Sequence, residues 1–452
     1  MQCLSAREFH AGGGYVSVKD TINPRSLVAD ILLAVDRDGE FSHIAIRNTL
    51  DKYRWLPRRD RAFIKRVSEG SIERQIELDY IIDSFSKIKV YKMKPVIRVI
   101  LRSAVYQMKY MDSVPDSAVC NEAVRLVAAR GFSGLRGFVN GVLRTISRQM
   151  DQVVYPSLEK EPVRALSVIY SVPEWMAERF YRSYGLQRSR SILESFLHDK
   201  NLCVRVDINR NSPEEIRRSL ELQGIGVKPH DTIPYAFYLD GYDVPEEIPE
   251  FAAGILYVQD AASMMVAEAA EPREGDFVLD VCAAPGGKSL HIAQMMHGTG
   301  QVEARDLTEY KVDMIRENIS RCRAENVRAV QWDALVFDPD MQQKADIVIA
   351  DLPCSGLGVI GRKPDIKYRM SEKQIRELAG LQRRMLDVAC RYVKPGGTLM
   401  YSTCTVTEEE NRQNTEWFLG EHPEFCLVSE YQYLPDEGCD GFFIAKFTMK
   451  VS

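Results

Sequence analysis

The sequence predicts a multidomain protein made of an all-α bundle, a small α+β module and a C-terminal α/β domain with a mostly parallel sheet. Residues 25–150 carry helical periodicity throughout, residues 151–270 mix helical and strand patterns, and residues 271–452 alternate strands with helices. Residues 1–24 contain three consecutive glycines and no periodic pattern, so we expect a flexible N-terminal arm. A length of 452 residues is sufficient for these domains.

The composition, with 45% hydrophobic and 27% charged residues, is typical of a folded protein in water. No apolar run approaches the roughly 20 residues that a membrane-spanning helix needs, and Arg7 and Glu8 stand where a signal peptide would be apolar. We expect a cytoplasmic protein with no membrane association, and we expect it to be a monomer. The ten cysteines form no Cys-x-x-Cys pair and the seven histidines form no His-Glu-x-x-His motif, which predicts reduced thiols and no metal site.

Charge is distributed unevenly along the chain. The net charge is −5, which alone argues against a nucleic-acid-binding protein. Residues 1–150, however, hold 25 Lys and Arg against 16 Asp and Glu, whereas the rest of the chain holds 34 against 48. A basic part in an otherwise acidic chain favours contact with a polyanion.

In residues 25–150, apolar side chains such as Leu27 and Ile31 recur at helical spacing, and Pro57 and Pro95 mark helix starts or breaks. Two basic clusters with interleaved aromatic residues lie in this part of the chain, a combination that suits phosphate contact together with base stacking. The residues predicted to contact RNA are Arg58, Arg59, Arg61, Lys87 and Lys89, near Tyr53, Trp55 and Tyr91. A solvated helix face is the alternative interpretation of either cluster alone.

Residues 151–270 are predicted to link the outer domains and to contribute to RNA binding. Residues 202–206 and 236–239 read as strands, and the run from Ser212 to Glu215 is a strong helix N-terminus. Ser171 is predicted to cap another helix. The pattern therefore indicates a strand, a helix and a second strand.

The first strand of the α/β domain leads into a loop of small residues. This strand ends at Asp280, and the run Cys282–Lys288 follows before a helix. Small residues here let backbone amides and the helix N-terminus approach a ligand closely. The Gly-Lys-Ser sequence is not a phosphate-binding loop, because that motif needs glycine at position 282, which is cysteine.

Acidic residues follow four consecutive predicted strands, at Asp280, Asp306, Asp333 and Asp351. Asp306 lies about 20 residues after the loop, where a carboxylate can bind ribose hydroxyls, and Asp333 is placed to hydrogen-bond an adenine amino group. One such acid is more often a helix cap or a surface group, but four favour a nucleoside site. This order resembles the nucleoside-binding face of S-adenosylmethionine-dependent methyltransferases, whose cationic sulfonium suits an acidic crevice.

Two cysteines follow neighbouring predicted strands. Cys354 lies in a turn after the strand that ends at Asp351, and Cys404 follows the next strand. Taken alone, Cys354 is equally well explained as an ordinary buried cysteine. Because adjacent parallel strands end at one edge of a sheet, we expect both thiols in one pocket. Two thiols beside a methyl donor indicate methylation at carbon 5 of a pyrimidine, an atom that becomes nucleophilic once a thiolate adds to carbon 6.

The motifs VCAAPGGKS, ADLPCSG, KPDIK and YSTCT together are similar to those of the RNA cytosine-5 methyltransferase family. Segments 100–102, 114–115, 121–124 and 138–144 resemble the NusB fold. These resemblances imply a NusB-like RNA-binding bundle, a class I methyltransferase domain of Rossmann-like fold, and S-adenosyl-L-methionine as the cofactor. They also imply methylation of carbon 5 of a cytosine in small-subunit (16S) ribosomal RNA.

The family resemblance implies roles for individual residues. Cys404 would be the nucleophile, Cys354 would assist product release, and Asp351 would polarise the base. The residues implied to line the cofactor are Cys282, Ala283, Ala284, Pro285, Gly286, Gly287, Lys288, Asp306, Asp333 and Asp351. RNA contact is implied for Arg362 and Lys363, although Gly361 stands where many family members have a further arginine.

Three other functions stay open from the sequence. Transfer RNA methylation would use the same chemistry on another substrate. An RNA-binding assembly factor with a degenerate methyltransferase domain is disfavoured because both thiols and all four acids are present. A DNA cytosine methyltransferase would use Cys354 as the nucleophile and would lack Cys404.

Overall fold

The computed structural model describes residues 22–198, 201–242 and 244–451. The chain divides into two compact units, Met1–Tyr155 and Pro156–Ser452. Nearly all of the arm predicted for residues 1–24 lies outside the described residues. No helix among the described residues is long and apolar enough to cross a membrane.

The first unit is a helical bundle, as the sequence predicts. Its α-helices within the described residues are α1 (Pro24–Asp36), α2 (Ser42–Lys52), α3 (Arg58–Glu73), α4 (Gln75–Phe85), α5 (Pro95–Tyr110), α6 (Asp116–Ala129) and α7 (Arg136–Gln149). Residues 99–107 of α5 are buried around the whole circumference of the helix, which is typical of a core helix. Pro57 directly precedes α3 and Pro95 begins α5, so of the two predicted possibilities, a helix start or a break, both prolines mark starts.

One charged side chain of α5, Arg102, is buried in this bundle at 7% exposure. Its Nε and Nη2 donate to the two carboxylate oxygens of Asp79, both at 2.7 Å, and its Nη1 donates to Asp36 at 2.7 Å. A buried guanidinium is strongly unfavourable unless it is paired. The three residues therefore tie α1, α4 and α5 together.

The second unit begins with α8 (Pro162–Ile169) and α9 (Glu174–Ser195) and continues into a small antiparallel sheet with the strand order β2-β3-β1-β4. Its elements are β1 (Leu202–Val206), α10 (Pro213–Leu222), β2 (Gly226–Pro229), β3 (Ala236–Asp240), α11 (Pro249–Ala252) and β4 (Leu256–Val258). The predicted strand, helix and strand are confirmed as β1, α10 and β3. The sequence analysis did not find β2 and β4, which have only four and three residues.

Two predicted helix caps in this unit have different outcomes. Ser212 accepts the backbone N–H of Glu215 and begins α10, as expected. The cap at Ser171 is wrong, because Pro173 occupies the N-cap position of α9. Ser171 instead has a φ of 53°, and its hydroxyl lies 3.3 Å from that of Tyr368.

Helix α12 (Ala261–Ala270) leads into a seven-stranded sheet with the order β10-β11-β9-β8-β5-β6-β7. Its strands are β5 (Phe277–Asp280), β6 (Gln301–Asp306), β7 (Val327–Gln331), β8 (Ala345–Asp351), β9 (Val393–Thr403), β10 (Phe425–Tyr433) and β11 (Phe442–Met449). The accompanying helices are α13 (Gly287–Met295), α14 (Glu309–Cys322), α15 (Ile366–Arg369), α16 (Glu372–Ala389) and α17 (Arg412–Glu421). The alternation of strands and helices predicted for residues 271–452 is confirmed.

Strands β5 to β9 pair in parallel, β11 pairs antiparallel to β9, and β10 pairs antiparallel to β11. Strand β5 lies between β6 and β8, so the strand order reverses there. In open α/β sheets, ligands bind in the crevice beyond the carboxyl ends of the strands at such a reversal. This topology defines where the site must be sought.

Candidate active site

A cleft of about 260 Å³ opens at the carboxyl ends of β5 and β8, where the strand order reverses. One wall consists of residues 282–285 with Gly287 and Lys288, and Asp351 and Cys404 line it as well. The cleft is also lined by Tyr257, Val258, Gln259, Asp260, Ser263, Asp280, Val359, Asp440 and Phe442. The topology thus brings the predicted loop, two of the four predicted carboxylates and one predicted thiol to a single place.

Asp306, at the end of β6, accepts backbone hydrogen bonds that fix the loop of residues 282–288. Its Oδ2 accepts the backbone N–H of Ala284 at 3.0 Å, and its Oδ1 accepts that of Leu307 at 2.8 Å. The loop then turns at Gly286, whose φ of 104° favours glycine. A Cβ atom on Gly287 would lie 3.2 Å from the ring of Tyr257, so a side chain there would narrow the cleft.

Asp280 offers an unsatisfied acceptor next to this loop. Its Oδ2 accepts the hydroxyl of Ser289 at 2.6 Å, while its buried Oδ1 has no hydrogen-bond partner among the described residues. Burial raises the pKa of the Asp280 carboxyl to about 7. An orphaned buried acceptor fits a ligand that carries an ammonium group, as the amino-acid part of S-adenosylmethionine does. The residues of the cleft therefore fit this cofactor.

Lys288 and Asp351 form an ion pair across the cleft. Lys288 Nζ donates to Asp351 Oδ2 at 2.7 Å, and the hydroxyl of Ser402 donates to Oδ1 at 2.8 Å. Both oxygens of Asp351 are thereby held in place from two sides. Lys288 and Asp351, both predicted to line the cofactor, are thus in direct contact.

The Sγ atoms of Cys354 and Cys404 lie 3.3 Å apart. The hydrogen bond between the thiols, followed by burial, raises the pKa of Cys354 well above its ordinary value. The same hydrogen bond lowers the pKa of Cys404, which the positive charges of Lys288 and Lys363 also lower. Cys404 is therefore the thiol that ionises first and accepts a hydrogen bond from Cys354.

A buried carboxylate, which the sequence analysis missed as a site residue, connects the two cysteine loops. Glu410 is fully buried, and it accepts the backbone N–H of Ser355 at 2.8 Å and the hydroxyl of Thr407 at 2.7 Å. It also accepts the hydroxyl of Ser355 and an amide N–H of Gln382. The run of three glutamates at 408–410 was visible in the sequence, but only Glu410 turns inward.

The structure gives the local surroundings of three other predicted site residues, whose ligand and RNA contacts stay predictions. Asp333 Oδ1 accepts the backbone N–H of Leu335 at 2.9 Å, which is the local turn role that the sequence left open, and Asp333 does not line the cleft. The guanidinium of Arg362 donates to Asp440 at 2.7 Å and to Asp260 at 3.0 Å, and its predicted RNA contact stays a prediction. Its charge is thus compensated by two carboxylates, whereas Lys363 is exposed.

The basic residues predicted to bind RNA in the bundle are at its surface, with one exception. Arg58, Arg59, Lys87 and Lys89 are exposed, and Arg61 is half-buried. The rings of Trp55 and Tyr91, 42% and 73% exposed, lie near these residues in the sequence. Exposed charges and exposed aromatic rings are the surface features that phosphate contact and base stacking need. No group of three or more metal-ligating side chains is arranged to hold a metal within the described ranges.

Comparison with known proteins gives three domain matches along the chain. Residues 22–148 match the NusB family, residues 172–244 match the ferredoxin-like domain of RsmF/B-like methyltransferases, and residues 267–448 match the family described as 16S rRNA methyltransferase RsmB/F. The probable ribosomal RNA small subunit methyltransferase B of Bacillus subtilis is 33% identical over 94% of this chain and 98% of its own length. The chain belongs to the RsmB/F family of 16S rRNA methyltransferases.

Solved structures agree with this assignment to the RsmB/F family. The crystal structure of PH0851 is 26% identical with a TM-score of 0.80 and covers 94% of this chain and 99% of its own. A methyltransferase homologue from Pyrococcus horikoshii is 27% identical with a TM-score of 0.55 and covers 64% of this chain and 99% of its own. The predicted fold class and the resemblances to NusB and to RNA methyltransferases are confirmed.

Proposed function

We propose that this protein methylates carbon 5 of a cytosine in small-subunit (16S) ribosomal RNA, through a covalent adduct between Cys404 and the base. The observation that carries the proposal is the hydrogen-bonded pair of thiols, with its unequal ionisation, beside Lys288 and Asp351. Relatives of closely similar length are named for ribosomal RNA of the small subunit, which supports the substrate class.

Cys404 begins the reaction, because it is the thiol with the lowered pKa. Its thiolate forms a bond to carbon 6 of the cytosine, and the electron pair of the 5,6 double bond makes carbon 5 nucleophilic. Asp351, which Lys288 and Ser402 hold in position, would donate a proton to the base ring and so neutralise the negative charge that the thiolate brings to it. S-adenosylmethionine, when bound, supplies the electrophilic methyl group.

Cys354 completes the reaction in this proposal. The negative charge of Cys404 is consumed when the carbon–sulfur bond forms, which removes the interaction that most raises the pKa of Cys354. Cys354 can then lose its thiol proton to water and, as a thiolate, accept the proton from carbon 5 of the methylated base. The electron pair of that carbon–hydrogen bond restores the 5,6 double bond, and Cys404 leaves as a thiolate.

The cofactor site in this proposal is the wall of the cleft. Residues 282–288 would contact S-adenosylmethionine, and Asp280 would accept its ammonium group. Asp306 accepts a backbone hydrogen bond from this loop and would bind the ribose. The exposed basic residues of the bundle would contact phosphates of the RNA.

Methylation assays with purified protein test the substrate and the chemistry together. We expect transfer of a labelled methyl group to 16S ribosomal RNA, recovered as 5-methylcytosine, and no transfer to unmodified transfer RNA. Activity confined to transfer RNA would contradict the substrate. A product methylated elsewhere on the base would contradict the mechanism.

A further inference from the structure

Gln259 is a buried amide whose orientation is set by a buried arginine. It lies between β4 and α12 and is only 6% exposed. Arg205 on β1, 4% exposed, donates from Nε to Gln259 Oε1 at 3.1 Å. Because an arginine can only donate, the amide oxygen must face Arg205, and the amide nitrogen must point the other way.

The amide nitrogen of Gln259 is left without a partner. Nε2 is buried and makes no hydrogen bond to any described residue. The side chain lines the cleft, and its Cδ lies 3.8 Å from the position that a Cβ on Gly287 would occupy. A buried donor without an acceptor is unfavourable in a folded protein unless a ligand supplies the acceptor.

A second set of donors converges on the same place. Gly287 is the first residue of α13, a helix of nine residues, and no side chain caps this N-terminus. The backbone N–H groups of a helix's first turn and its dipole favour a negatively charged group. A carboxylate placed beside Gly287 would therefore accept from the helix and from Gln259.

We infer that Gln259 donates a hydrogen bond to the carboxylate of the amino-acid part of S-adenosylmethionine, and that Arg205 is a positioning residue for this amide. The inference rests on the proposed function, which supplies the cofactor. Gln259 lies between the matched ferredoxin-like segment, residues 172–244, and the matched methyltransferase segment, residues 267–448. The small sheet would thus take part in cofactor binding through its β1 strand.

Calorimetry on the full chain, without RNA, tests the inference with two ligands. S-adenosylhomocysteine carries the amino-acid part, and 5′-methylthioadenosine lacks it. Gln259→Glu keeps an acceptor for Arg205 but replaces the donor with a negative charge, and we expect it to bind S-adenosylhomocysteine at least tenfold more weakly. The affinity for 5′-methylthioadenosine should stay within twofold of wild type.

Gln301→Glu is the matched control, because it makes the same exchange at the exposed amino end of β6, away from the cleft. It should bind both ligands as wild type does. Arg205→Met should also weaken the binding of S-adenosylhomocysteine selectively, since methionine offers no N–H donor and the amide would no longer be oriented. Circular dichroism spectra and melting curves of all variants show whether they fold.

Two results would overturn the inference. One is an unchanged affinity of Gln259→Glu for S-adenosylhomocysteine. If the affinity is unchanged and only the KM for RNA rises, the amide contacts the RNA base instead of the cofactor. The other is an equal loss of affinity for both ligands. If the wild-type protein bound neither ligand, the proposed function itself would fail, so the two failures are distinguishable.

Discussion

Cys354 Sγ and Cys404 Sγ lie 3.3 Å apart beyond the ends of the adjacent parallel strands β8 and β9. A hydrogen bond at this distance makes the two thiols unequal, since one must donate and the other accept. The charges of Lys288 and Lys363 favour the thiolate at Cys404. The inequality leads to a prediction about each thiol.

The first prediction concerns the ionisation of Cys404. Cys354→Ala removes the donor that contributes most to lowering the pKa of Cys404, so this pKa should rise. The pH profile of iodoacetamide alkylation at Cys404, followed by mass spectrometry of its peptide, should shift to higher pH. Cys426→Ala removes an exposed thiol elsewhere and should leave the profile unchanged. A profile that stays in place in Cys354→Ala would show that the hydrogen bond does not control Cys404.

The second prediction concerns Glu410, which ties the two cysteine loops together. Glu410→Ala leaves the donors of Ser355 and Thr407 unpaired and lets the loops shift, and misplacement of about 1 Å can cost about 10²-fold in rate. We expect a loss of kcat of that order, and a smaller loss for Glu410→Gln, which retains one acceptor. Glu408→Ala, at an exposed position two residues earlier, should be fully active. Equal activities of the alanine variants at 408 and 410 would contradict the role of Glu410.

The third prediction concerns the stability of the helical bundle. Arg102→Ala leaves the carboxylates of Asp36 and Asp79 without their shared partner, and removing one member of a buried ion pair typically costs about 3–5 kcal/mol. Arg125→Ala also removes an ion pair, with Glu122, but this pair is at the surface and should cost about 1 kcal/mol or less. Urea unfolding of the bundle, followed by circular dichroism, measures both. Similar losses in the free energy of unfolding for the two variants would show that burial of the ion pair does not determine its contribution to stability.

The fourth prediction concerns the basic surface of the bundle. Replacing Arg58 and Arg59 with glutamine should weaken RNA binding. The slope of log K against log[salt] should fall by about 1 for each phosphate contact that is lost, and so by about 1–2 in total. Lys344→Gln, an exposed position in the second unit, is the control for a general loss of charge. Filter binding at several salt concentrations gives the slopes. Unchanged slopes would mean that this cluster is only a solvated helix face.

Much of the fold and part of the site followed from sequence patterns, because they depend on local periodicity and on strand topology. Parallel strands that end at one edge must bring Asp280, Asp351, Cys354 and Cys404 close together, whatever the intervening helices are. The helical bundle followed from apolar spacing in the same way. These relationships need no knowledge of side-chain packing.

The contacts that the sequence did not predict depend on long-range packing. The ion pairs of Arg362 could not be predicted, because its partners Asp440 and Asp260 are 78 and 102 residues away in the chain. Glu410 cannot be distinguished from Glu408 and Glu409 until one of them is seen to be buried. The orphaned amide of Gln259 becomes visible only when Arg205 is found beside it.

The covalent adduct offers the sharpest test of the proposed mechanism. Cys354→Ala should form the bond between Cys404 and the cytosine but release the product slowly, so a mixture with 16S ribosomal RNA and S-adenosylmethionine should give a protein–RNA band that survives denaturing electrophoresis. Cys404→Ser and the double variant should give neither this band nor 5-methylcytosine. A normal turnover rate without a band in Cys354→Ala, together with methylation by Cys404→Ser, would contradict the assignment of both thiols.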